Sequence, residues 1–136
     1  MRYLSISQKE LIAIRGLYES VMSHATYGLF LREGEIIGKE ISEEAIKDRA
    51  NFFENCKNIL IERCWLENVN FFENAVEVKG SIEVSNSNKV TCHRLRGIFR
   101  AIYEIYFGKK VYCREVECES MGSERCIFKI DFLEGK

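Results

Sequence analysis

Residues 92–133, CHRLRGIFRAIYEIYFGKKVYCREVECESMGSERCIFKIDFL, change their periodicity part-way, and that change decides the fold. From Cys92 to Phe107 the apolar residues Leu95, Ile98, Phe99, Ile102, Ile105 and Tyr106 recur three or four apart, with Arg96, Arg100 and Glu104 opposite, as on an amphipathic helix. Gly108 follows, where a helix commonly ends on a left-handed residue. Lys110–Cys118 and Cys126–Leu133 alternate at period two instead, with Phe128, Ile130 and Phe132 on the face of Cys126. A helix thus leads into a hairpin whose loop contains Gly122.

Upstream, Val76, Val78, Ile82 and Val84 alternate with Glu77, Lys79, Ser81 and Glu83, the pattern of a strand with one wet face. Leu66–Phe72 is its expected partner, with Glu73-Asn74 as the turn, and Ser85–Lys89 is a polar loop. Before Trp65 the pattern is helical. Ser7-Gln8-Lys9-Glu10 is a capping box, in which hydroxyl and carboxylate each satisfy a free N–H at a helix start, and Leu11, Ile14, Leu17 and Val21 share a face beyond it. Tyr27–Ile41 carries Gly34 and Gly38 four residues apart, a face on which another backbone can approach and a candidate dimer contact. Ser42-Glu43-Glu44 is expected to cap a further helix, running to about Cys64 with Ile46, Ala50, Phe53, Leu60 and Cys64 inward. The expected architecture is α+β: an antiparallel sheet packed on one side by several helices, in one domain over residues 1–136.

Composition narrows the function. The chain has 136 residues, 46% apolar and 30% charged, with a net charge of −1. Mixed charge of that kind argues against a nucleic-acid binder, which gathers a basic surplus on one face. No apolar run approaches the roughly 20 residues needed to span a bilayer, and Met1 to Glu10 has no signal-peptide core. The expected location is the cytoplasm.

Six cysteines are many for such a chain. In a reducing compartment they serve as buried thiols or metal ligands more often than as disulfides. Cys92 opens the long helix, where free N–H groups favour a thiolate. Cys118 ends one strand and Cys126 begins the next, so a hairpin sets them side by side. Glu115 can join them only if a bulge or strand end intervenes, because residues three apart face opposite sides of a regular strand. Three thiols and a carboxylate suit tetrahedral zinc. That set leaves a formal charge of about −2, counting four anions against one dication, which the helix end and Arg114 are placed to offset. Inert core thiols and a disulfide remain alternatives on spacing alone, and His93 competes for the fourth position. Cys56, Cys64 and Cys113 read as core.

The stretch Cys92-x4-Gly97, a helix, then Glu115-x2-Cys118-x3-Gly122-x3-Cys126-x-Phe128 resembles the vinyl-4-reductase (4VR) domain family, a fold related to small subunits of the TRAPP tethering complexes. The Gly34-x3-Gly38 helix fits that family's layout too. The resemblance implies a structural zinc held by Cys92, Glu115, Cys118 and Cys126, favouring Glu115 over His93, and a homodimer. It further implies a pocket for a small apolar or aromatic molecule, for which Tyr27, Phe30, Trp65, Phe71, Phe99 and Tyr103 are candidates by amphipathic position. The implied function is ligand binding or sensing, with a separate partner to receive the signal. Two rivals stand beside it: an accessory or reductase-like factor in tetrapyrrole vinyl reduction, and a non-catalytic scaffold subunit. The enzymatic rival finds no phosphate-binding loop or nucleophile–base pair, and four protein ligands close a zinc site to substrate.

Overall fold

The structure is a computed structural model that describes residues 2–133; Met1 and residues 134–136, the extremes of the domain expected over 1–136, lie outside it. Four helices precede or interrupt four strands: α1 (Gln8–Met22), α2 (Ala25–Ala45), α3 (Phe52–Glu62), β1 (Asn68–Phe71), β2 (Ala75–Lys79), α4 (His93–Phe107), β3 (Val111–Glu117) and β4 (Cys126–Phe132). The strands form one antiparallel sheet in the order β1-β2-β4-β3. Val69, Val76, Val78, Cys113, Phe128 and Ile130 face the helices and are buried, whereas Asn70, Arg114, Lys129 and Asp131 face solvent. The α+β reading therefore holds. Among the described residues no helix is long and apolar enough to cross a membrane.

The centre of the molecule is α4, buried from His93 to Tyr103 except at Arg96 and Arg100. It ends on Gly108 at φ 66°, a left-handed cap. Its sheet-facing side is fastened by the Tyr103 hydroxyl, which donates to the carbonyl of Phe72 beside the β1–β2 turn. On its other side it crosses α2 backbone to backbone. A Cβ placed at Gly34 would lie 2.0 Å from the Arg94 carbonyl oxygen, and one at Gly97 would lie 2.0 Å from that of Leu31. The Gly34/Gly38 face is thus covered by α4 of the same chain, which corrects its reading as a dimer contact.

Three further expectations are corrected. Ser42 caps nothing: it is buried inside α2, its hydroxyl donating to the Gly38 carbonyl at 2.6 Å, and the helix continues to Ala45. The break falls later, in a 3-10 stretch Ile46–Asn51, where Asp48 leaves helical geometry (φ −124°, ψ 82°). The re-entry into α3 turns Phe52, Cys56 and Leu60 inward, leaving Ala50 and Cys64 exposed. The alternation through Ile82 and Val84 is not strand either, because the chain turns at Gly80 (φ 70°) and leaves the sheet.

The capping box of α1 forms as read, with the Ser7 hydroxyl accepting from Glu10 N at 3.0 Å and the Glu10 carboxylate accepting from Ser7 N at 2.9 Å. No residue of α1 is buried, however; Leu17 is 59% and Val21 75% exposed. Its apolar stripe is real but lies mostly in solvent.

Candidate metal centre

The sulfurs of Cys92, Cys118 and Cys126 and a carboxylate oxygen of Glu115 all lie within 4.8 Å of one another. Three elements deliver them. Cys92 is the N-cap of α4, Glu115 and Cys118 come from β3 and the residue after it, and Cys126 opens β4. The irregularity required between Glu115 and Cys118 is present: Glu115 pairs with Phe128 and Glu117 with Ile127, so Val116 bulges out. All three cysteines are fully buried.

The donor set fits a tetrahedral metal. With metal–sulfur bonds of about 2.3 Å, a tetrahedron has sulfur–sulfur edges of roughly 3.8 Å. Cys126 lies 3.8 Å from Cys92 and 3.8 Å from Cys118. Glu115 Oε1 accepts from the Cys92 backbone N–H at 3.0 Å, while its Oε2 is buried without a hydrogen-bond partner. A buried carboxylate oxygen left bare is costly unless a cation or proton meets it. Protonation is crowded for the same reason. Sulfur hydrogen bonds from Cys126 and Cys92 hold the Cys118 thiol far below its usual range. The bond to Cys118 pushes Cys126 and Cys92 up, and burial together with the Cys118 charge pushes Glu115 up. The protein alone therefore supports one negative charge in the cluster; a dication would support more.

Neighbouring polar groups set the thiols in place. Ser81 Oγ accepts from Cys92 Sγ at 3.2 Å, Thr91 Oγ1 lies 3.6 Å from Cys118 Sγ, and the Glu119 backbone N–H donates to Cys126 Sγ at 3.3 Å. Ser120 joins this shell through Thr91 at 2.7 Å. Sequence patterning carries no signal for these residues, since a hydroxyl one or two residues from a cysteine is common.

The α4 N-terminus does not answer the cluster's charge in the way the sequence suggests. Its free N–H groups instead bond Glu83, whose carboxylate accepts from Arg94 N at 3.1 Å and Leu95 N at 3.0 Å. Burial pushes the Glu83 carboxyl up to about 7 against the pull of those bonds and of the Arg94 guanidinium. Arg114 does not reach the cluster; it pairs with Asp131 at 3.5 Å on the wet face of the sheet. His93 is outside the ligand group: its ring stacks on Tyr27 at 4.3 Å, and burial pushes its pKa down to about 4.

The six aromatic candidates do not converge on one place. Phe71 meets both Phe99 and Tyr103, and with Phe53 they form an aromatic cluster against the sheet. Trp65 packs at the core's edge, Tyr27 stacks on His93, and Phe30 lies beneath Arg94 and Tyr18. Cys56 and Cys113 are core thiols as read, each pushed up to about 12 by burial.

Comparison with known proteins adds the family. The fold matches the phenol-responsive sensory domain of the transcription activator PoxR, solved with phenol (TM-score 0.81, 19% identity, 100% of this chain and 79% of that one). It also matches a vinyl-4-reductase family protein from Methanocaldococcus jannaschii (TM-score 0.68, 18% identity, 98% and 85%). A more distant likeness is to a trafficking protein particle complex subunit 3 from Naegleria fowleri, covalently bound to palmitic acid (TM-score 0.54, 12% identity, 94% and 98%). No curated protein matches the chain in sequence. All four ligand candidates lie inside residues 74–132, the stretch by which this chain matches the vinyl-4-reductase (4VR) domain family.

Proposed function

We propose that this chain, taken as one domain over residues 1–136, is a non-catalytic domain that binds or senses a small apolar or aromatic molecule and is locked by a structural zinc. The observation that carries the reading is the convergence of Cys92, Glu115, Cys118 and Cys126 within 4.8 Å. One ion there ties the start of α4 to the β3–β4 hairpin, and its binding energy adds directly to folding. Four protein ligands leave no open position, which suits a structural ion and not a catalytic one. Thiolate ligands suit a reducing, cytoplasmic setting.

The ligand part rests on the fold shared with a phenol-responsive sensory domain. The partner is a second copy of the chain, meeting the apolar outer residues Leu17, Val21 and Ile36, with a separate protein to receive the signal. One observation favours a second reading, a non-catalytic assembly subunit: the aromatic cluster of Phe53, Phe71, Phe99 and Tyr103 fills the space between helices and sheet with its own side chains. Thermal unfolding of the metal-replete protein with phenol added separates the two. A ligand that binds only the folded state raises the midpoint in proportion to the logarithm of its concentration. A rise supports the binding domain; an unmoved midpoint across phenol and related small aromatics supports the assembly subunit.

A further inference from the structure

Beneath α1 lies a cavity of about 10 Å³, walled by Leu11 and Ile12 of α1, Phe30 of α2 and Thr91 beside the metal ligands. It has room for about one water. Three charged side chains complete its wall: Arg15, Glu83 and Arg94. The last two are engaged with each other. Glu83 is 5% exposed and accepts from two backbone N–H groups, with the Arg94 guanidinium 3.5 Å away. Arg94 also bonds Glu33 at 2.8 Å and lies 3.9 Å over the Phe30 ring.

Arg15 differs. One guanidinium nitrogen donates to Ser85 Oγ at 2.6 Å, but its Nε is buried with no hydrogen-bond partner, and the Glu19 carboxylate stands 4.0 Å off. A buried guanidinium N–H without an acceptor is costly. The wall holds two cations against one anion, so an acceptor carrying negative charge answers both deficits. A carboxylate does so with the geometry guanidinium prefers, and Phe30 offers an apolar surface to the remainder of the molecule.

The space for such a molecule must come from movement of α1, and the helix is attached in a way that permits it. It buries no residue. Its polar tethers all end on one segment: Gln8 on the Val84 carbonyl at 3.0 Å, Arg15 on Ser85, and Glu19 on Lys89 at 3.1 Å. Its junction with α2 is Ser23, at φ 54° and ψ −133°, a left-handed conformation in a residue with a side chain. Segment 84–89 leads three residues later to Cys92, so the seat of α1 is continuous with the metal cluster.

We propose that α1 is a lid, hinged at Ser23, over a site that takes a small aromatic carboxylate, with Arg15 holding the carboxylate and Phe30 the ring. The proposal rests on the ligand-binding reading above and places the ligand outside the Phe71–Phe99–Tyr103 cluster.

The test is amide NMR of the full metal-replete chain, titrated separately with benzoate and with phenol. Benzoate is expected to shift amides of residues 8–22 and 83–94 and to slow hydrogen exchange in α1. Arg15→Gln should weaken benzoate about tenfold, the equivalent of one charge-assisted hydrogen bond. Ile12→Trp, which fills the cavity from a partly exposed position, should abolish benzoate binding while the spectrum of the sheet stays unchanged. Undiminished benzoate affinity in both variants overturns the lid site. Phenol binding at the Phe71–Phe99–Tyr103 cluster with no benzoate response in α1 also overturns it, while leaving the binding domain intact. Failure of both probes to bind overturns the two together.

Discussion

Replacing Gly97 by alanine should destabilise this protein, although the same change in most helices stabilises. Alanine gains about 1 kcal/mol over glycine in a helix interior. At Gly97, however, the new Cβ would stand 2.0 Å from the Leu31 carbonyl oxygen and 2.8 Å from the Glu35 backbone nitrogen. Both are backbone atoms of α2, so no side chain can swing aside. Helices α2 and α4 must part by more than an ångström along a buried seam that holds Phe30, Ile41, Leu95 and Ile98. Overpacking costs roughly 1–3 kcal/mol, and a clash with backbone belongs at the upper end. Set against the propensity gain of about 1 kcal/mol, the net loss is about 2 kcal/mol, or roughly 8 °C in the midpoint for a chain of this size. Gly28→Ala is the control: it lies in α2 with nothing within 4 Å of its Cβ position, and should gain roughly 0.5–1 kcal/mol. Urea unfolding of the two variants beside the parent measures both. A Gly97→Ala protein as stable as Gly28→Ala would refute the close crossing of α2 and α4.

Other consequences are quicker to check. Cys118→Ser strips one ligand from a closed site, so zinc content and thermal midpoint should fall together; a variant keeping both would remove Cys118 from the ligand set. Cys64 is exposed, whereas Cys56 and Cys113 are buried with pKa pushed up to about 12. A thiol reagent should therefore modify Cys64 fast in the native protein and lose that phase in Cys64→Ser; a fast phase surviving there contradicts the burial. His93 titrates near 6.5 when unfolded and about 4 when buried. Between those values the unfolded state binds the extra proton, so stability falls with falling pH, by at most about 3 kcal/mol. His93→Phe should flatten that part of the stability–pH profile, and an unchanged slope would mean that the imidazole is solvated.

What was legible in the sequence was what local chemistry decides. The capping box at Ser7 and Glu10, the amphipathic run ending at Gly108 and the alternating hairpin each specify themselves within a few residues. The metal ligands were legible because a hairpin fixes Cys118 against Cys126, and because Glu115 could join them only through a bulge. What failed depended on distant partners. Ser42 has the composition of a cap, but its hydroxyl bonds back to Gly38 inside a helix whose glycines are buried under α4. Glu83 alternates like a solvated strand residue, yet the turn at Gly80 folds it over the α4 N-terminus, where it is buried. Cys64 keeps helical spacing from Leu60, but α3 has already ended and its φ of 64° turns it outward. Nothing within a few residues of these positions records such contacts.

The central claim is that Cys92, Glu115, Cys118 and Cys126 form a closed zinc site. Elemental analysis by mass spectrometry, on protein purified without added metal or chelator, tests it most directly. About one zinc per chain is expected from a single four-ligand site, falling in step when Cys118 or Cys126 is replaced by serine. Protein free of metal, folded, and with all six thiols titrating on unfolding would contradict it and leave the cluster as core thiols beside a protonated carboxyl.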